Sequence, residues 1–149
     1  MTDRRPFLRS IFDAAVAAAH PDVVLAPHLR PVPKGRVICL AAGKGAAAMA
    51  VAAERHYLDR LGLEPERLIG IATTRHGHGL PTRRIKVVEA GHPVPDEAGL
   101  KAADDTLRLA AGLRTNRDVE LALHVSVVGD HIDSFDKHLG APPAHEGGH

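Results

Sequence analysis

The chain has 149 residues, 44% hydrophobic and 25% charged, the make-up of one ordinary globular domain with enough apolar material for a core. A formal net charge of +1 gives no reason to expect a nucleic acid or an acidic membrane as partner, and no apolar run approaches the roughly 20 residues that span a bilayer. One cysteine excludes an intrachain disulfide, and Met1 to Phe7 lacks the apolar core of a signal peptide, so a cytoplasmic protein is expected.

Aromatic residues make up 3% and tryptophan is absent, so the core must be aliphatic and rich in alanine. From Pro6 to Ala19, the residues Leu8, Ile11, Phe12, Ala15, Val16 and Ala19 recur at helical spacing, which predicts an amphipathic helix packed on the rest of the domain. Asp22 to Lys34 holds three prolines and reads as an extended connector. Arg36 to Ala42 is apolar and predicts a buried strand, with Cys39 as a small hydrophobe inside it. It breaks at Gly43-Lys44-Gly45, and an alanine-rich helix follows to about Leu61, with Met49, Ala53, Tyr57 and Leu61 along one line and Gly62 as its stop.

Arg67 to Thr73 predicts a second strand, closed by Thr74-Arg75-His76-Gly77-His78-Gly79. Arg84 to Ala90 predicts a third, closed by Gly91-His92-Pro93-Val94-Pro95-Asp96-Glu97. The connection between these two strands shows no helical period, so it is irregular or one strand runs antiparallel. Ala98 to Ala111 predicts a helix with Leu100, Ala103, Leu107 and Ala110 on its inner face, and Asp118 to Val128 a fourth strand. Strands alternating with helices argue an α/β, Rossmann-like three-layer domain with a mostly parallel sheet and helices on both faces. It is expected over 1–128, with a disordered polar tail over 129–149.

In such sheets ligands bind beyond the carboxyl ends of the strands. The Gly43-Lys44-Gly45 turn leads into a helix whose first amides lack partners, and the lysine adds a full charge, so an anion site is expected there. Thr74, Arg75, His76 and His92 would join Lys44 on that rim if the strands are parallel neighbours. Gly43 to Ala48 spells the dinucleotide pattern G-x-G-x-x-A, yet Thr73-Thr74-Arg75 stands where a ribose-binding acid is expected. No Walker A pattern occurs. The His76 and His78 pair has no third ligand in its loop, so no metal site is assigned. Asp96 or Glu97 suits the cap of the next helix, whereas His92 has no structural duty and stays a site candidate.

The run Phe12–Ala19, Ala-Ala-Gly-Lys-Gly-Ala-Ala-Ala-Met-Ala at Ala41–Ala50, Ala-Thr-Thr-Arg-His-Gly at Ala72–Gly77 and Glu-Ala-Gly-His-Pro-Val-Pro-Asp-Glu at Glu89–Glu97 together resemble the N-terminal part of the type-2 glycerate kinases. Many members of that family carry the name hydroxypyruvate reductase. The resemblance covers residues 4 to about 112. It implies transfer of phosphate from ATP to D-glycerate with Mg²⁺, giving 2-phosphoglycerate. Lys44 would be the essential lysine, with Gly43, Gly45, Thr74, Arg75 and His92 around the phosphate and acceptor. In the family a serine- and glycine-rich loop and a second domain follow. Residues 113–149 show neither, so the chain is expected to be an incomplete catalyst, with possible self-association through the uncovered domain surface. Two other functions stay open: a non-catalytic anion-binding or assembly domain, and an NAD(P)-dependent hydroxypyruvate reductase.

Overall fold

The computed structural model describes residues 3–112 and, as backbone, the strand at residues 119–124. The tail expected over 129–149 lies outside the described residues. Helix α1 spans Arg5–Ala18 with Pro6 in its first turn, where the missing amide costs nothing. Its apolar stripe forms as the periodicity predicts, but no residue of α1 is buried. Phe7 and Phe12 are 66% and 67% exposed, so the expected packing of this face is not observed among the described residues. The connector is more ordered than its prolines suggest. Pro21 opens a single helical turn, α2 (Pro21–Val24), and Pro27 lies early in a tighter turn at Ala26–His28. In both, the fixed proline φ suits a first turn.

Among the described residues the sheet has four strands: β1 (Val37–Ala42), β2 (Leu68–Arg75), β3 (Ile85–Ala90) and β4 (Val119–His124). All pair in parallel, in the order β3-β2-β1-β4, which removes the antiparallel alternative. The chain steps from β1 to β2 to β3 in one direction, then returns past β1 to β4. Because such crossovers are right-handed, the two directions place their connections on opposite faces. The result is the expected Rossmann-like three-layer arrangement.

Helix α3 (Ala46–Glu54) covers one face. Ala46, Ala50 and Ala53 pack with Val37, Cys39, Leu68, Ala72 and Ile85 in a single buried cluster. Small side chains let the helix axis come close to the strands, which is how a core with so few aromatics is filled. The helix continues through wider turns at Arg55–Arg60, where Tyr57 is fully buried and its hydroxyl donates to the Arg30 carbonyl at 2.8 Å. Leu61, expected on the same inner line, is 46% exposed, because the widened turns rotate it away. Gly62, at φ +65°, ends the element as expected.

On the other face lies α4 (Glu97–Ala111). Its inner side is set by Ala102, which is buried, and by Asp105, whose carboxylate pairs with Lys86 of β3 at 2.9 Å. Leu100 and Leu107, expected to face inward, are 68% and 67% exposed. The apolar spacing sets Leu100 and Leu107 inward, but the smaller Ala102 takes the sheet side.

One buried charge organises the irregular β2–β3 connection. Glu54, at the end of α3, is 3% exposed. Its Oε1 accepts from the amides of Arg84 at 2.6 Å and Ile85 at 2.8 Å, and its Oε2 from that of Arg83 at 2.7 Å. The amides at the entry to β3 thus do for the Glu54 carboxylate what a helix N-terminus does for an anion. Arg83 also reaches Asp59 with two hydrogen bonds, at 2.8 and 3.0 Å, which anchors the same corner from outside.

Candidate functional site

Parallel pairing puts the carboxyl ends of β1, β2 and β3 on one rim, with Ala42 beside Thr73 and Arg75 beside Ala90. The strand order reverses at β1, since β2 lies on one side and β4 on the other. Ligands of open α/β sheets occupy the crevice at such a switch point. The Gly43-Lys44-Gly45 turn leaves β1 at that place. Gly43 has φ +116°, a conformation closed to most side chains, and its amide donates to the Thr73 carbonyl at 3.0 Å. The turn is held from behind by Thr74, which is 3% exposed and donates its hydroxyl to the Lys44 carbonyl at 3.2 Å.

Lys44 itself is exposed, as is Arg75 at the end of the neighbouring strand. Neither has an ion-pair partner among the described residues. Two exposed cations on one rim, with no carboxylate partner among the described residues, raise the local potential toward anions. His92, two residues beyond β3, is exposed as well, and the His92–Pro93 peptide is cis. The structure therefore ties the Gly43-Lys44-Gly45 turn to Thr73 and Thr74 by hydrogen bonds, sets Arg75 at the end of β2, and places His92 on the same rim one strand further along.

Two carboxylates tie the outer loops to each other. Glu89 of β3 accepts from the Gly79 amide at 2.6 Å, and the amides of Gly79 and then Gly77 hold its carboxyl below the usual carboxylate range. Asp96 caps α4 by accepting from the Gly99 amide at 2.9 Å, and its other oxygen meets His76 Nε2 at 2.8 Å. Hydrogen bonds from the amides of Gly91 and Gly99 and from His76 push the Asp96 carboxyl down to about 2. A depressed carboxyl stabilises the fold fully above its unfolded value of 3.8, and that contribution fades as pH falls toward 2. Asp96→Asn, which still caps a helix, is expected to flatten the loss of thermal stability between about pH 4 and pH 2. Melting curves of both proteins across that range check it; superimposable pH profiles would contradict it.

His76 is therefore engaged with Asp96, which braces its loop against the start of α4. Sequence reasoning had Asp96 as a cap but missed its second bond, because a partner 20 residues away leaves no local trace. Among the described residues no three of His, Cys, Asp and Glu gather as a metal set. No helix of the described residues is long and apolar enough to cross a membrane.

Residues 7–126 match the family described as a domain of unknown function, DUF4147. The chain belongs to the DUF4147 family. It is 44% identical over 109 residues to a putative hydroxypyruvate reductase of Agrobacterium vitis, covering 73% of this chain and 24% of that protein. It is 42% identical over 83 residues to a glycerate 2-kinase of Pyrococcus horikoshii, covering 56% of this chain and 17% of the relative. The crystal structure of a glycerate kinase from Thermotoga maritima superposes with a TM-score of 0.60 at 33% identity, over 76% of this chain and 26% of the other. This DUF4147 chain thus spans about a quarter of the length of its relatives or less, and it corresponds to their N-terminal portion as the motifs implied.

Proposed function

We propose that this DUF4147 chain, with its α/β domain over residues 1–128, is the N-terminal half of a glycerate 2-kinase site. It would grip the phosphoryl group that passes from ATP to D-glycerate. The observation that carries this reading is the exposed Lys44 and Arg75, without carboxylate partners among the described residues, on the rim at the switch point of a parallel sheet. Lys44 at the turn before α3 is placed to neutralise charge that builds on a transferred phosphoryl group. Gly43 and Gly45 leave room for oxygens to approach the backbone, Thr74 fixes the turn, and Arg75 and His92 line the acceptor side. Among the described residues no metal set gathers, and Mg²⁺ would arrive with the nucleotide phosphates.

Activity needs donor and acceptor held together away from water, and the rim described here forms one wall of such a cleft. The wall is tested by binding. Phosphate at ten times its dissociation constant is expected to stabilise the wild-type chain by about 1.4 kcal/mol, and Lys44→Ala is expected to show no such protection. Equal protection of both proteins would remove Lys44 from the site. In a coupled assay with D-glycerate, ATP and Mg²⁺, any turnover of the wild type should fall at least ~100-fold in Lys44→Ala.

A reductase is the second reading, and Arg75 is the observation in its favour. An arginine at the end of β2 suits the 2′-phosphate of NADP, where an acid would suit NAD. NADPH oxidation with hydroxypyruvate tests it, and absence of oxidation would eliminate it.

A further inference from the structure

Helix α1 leaves its apolar stripe uncovered by the described residues, and the order of side chains along the stripe shows what fits it. Phe7, Leu8, Ile11 and Phe12 are bulky and exposed, and they crowd the first half and middle of the helix. The last part is narrow, with Ala14, Ala15 and Ala18 around a single Val16. A parallel copy would set bulk on bulk at one end and alanine on alanine at the other, where a gap would remain. An antiparallel copy sets each bulky end on the partner's alanine end, so the two surfaces fill one another. With Ile11 at the centre, Phe7 and Leu8 come against the partner's Ala15.

The charges favour the same arrangement. Arg4 and Arg5 stand at the start of α1, where the helix dipole is positive, and its last turn holds no basic residue. Its own dipole thus disfavours this distribution, and an antiparallel partner reverses the effect, because Arg4 then lies beside the partner's Ala18 at the negative end. Arg9 and Asp13 flank the stripe on one side, both exposed and 3.9 Å apart. They are equally far from Ile11, so two-fold symmetry sets Arg9 of each copy opposite the partner's Asp13. A lipid surface would gain nothing from that carboxylate. We propose that α1 is the seam of a symmetric dimer, in which the α1 helices of two copies pack antiparallel about Ile11. The 14 residues give a seam ~21 Å long, at the small end of specific interfaces, so the dimer should dissociate on dilution.

Sedimentation velocity of the full 149-residue chain across a wide concentration range tests it. Wild type is expected to pass from monomer to dimer as concentration rises, and Ile11→Asp to stay monomeric throughout. Ile11 is exposed, so the variant should keep the wild-type circular dichroism. Arg9→Asp or Asp13→Arg alone places like charges opposite each other twice, and each should weaken the dimer at least about fivefold. Mixing these two variants should restore dimers, because an all-acidic edge then meets an all-basic one. A wild type that stays monomeric, or dimers that survive Ile11→Asp, overturns the proposal; monomers that sediment with anionic phospholipid vesicles would give the stripe to a lipid surface instead. Dimers lost in Ile11→Asp but indifferent to the charge variants, or not restored by mixing, overturn the antiparallel pairing.

Discussion

Glu54→Ala is expected to destabilise the domain by about 3–5 kcal/mol, the range seen when one partner of a buried charged network is removed. The substitution leaves the amides of Arg83, Arg84 and Ile85 facing a void where the carboxylate stood. Each unsatisfied buried donor costs about 1–3 kcal/mol, reduced where water can enter, and the cavity adds to the loss. In a chain of this size the melting temperature should drop by roughly 10 °C or more. Glu54→Gln keeps one acceptor oxygen and should fall between the two. Urea midpoints for the three proteins decide the matter. A loss below about 1 kcal/mol for the alanine variant would mean that the β2–β3 connection holds its course without the carboxylate.

Gly70→Ala should be at least as damaging. A Cβ at this position would stand 2.2 Å from the Cys39 carbonyl oxygen and 2.9 Å from the Cys39 Cβ. Both obstacles belong to the paired central strand, and neither is a flexible side-chain tip that could swing aside. Relief requires β1 and β2 to part at the Cys39–Gly70 pair, which breaks the ladder that frames the Lys44 turn. We expect several kcal/mol or failure to accumulate folded protein, above the usual cost of overpacking because the clash is with backbone. Gly99→Ala provides the contrast. There the nearest atoms would lie 3.5 and 3.6 Å away inside α4, an ordinary contact, and alanine should stabilise the helix by up to about 1 kcal/mol. If the two variants melt together, the close approach of the strands is not as drawn.

Much of this architecture could be read from the residues, and the reasons are local ones. Apolar runs bounded by glycine gave the first three strands within one or two residues, since a buried parallel strand has nowhere to place polar side chains. The turn at Gly43-Lys44-Gly45 and the Asp96 cap were legible because both act on their immediate neighbours. What escaped were the effects of distant partners. The orientation of α4 depended on whether Leu100 or Ala102 met the sheet, and periodicity favoured the larger residue. Glu54 carries no signal in the sequence, because the amides it holds lie about 30 residues further along. The role of Thr74 as a brace on Lys44 likewise needed the pairing of β1 with β2 before it could be seen.

Cys39 gives this sheet a built-in clock. The thiol is fully buried in the strand between β2 and β4, and burial, followed by the nearby Glu54 charge, pushes its pKa up to about 12. At neutral pH it is neither ionised nor reachable, so a thiol reagent can modify it only when β1 opens to solvent. With no second cysteine to confuse the signal, the labelling rate reports the frequency of that opening. A ligand that grips the turn at the end of β1 would slow the reaction, so occupancy of the rim could be timed at a sulfur the ligand never touches.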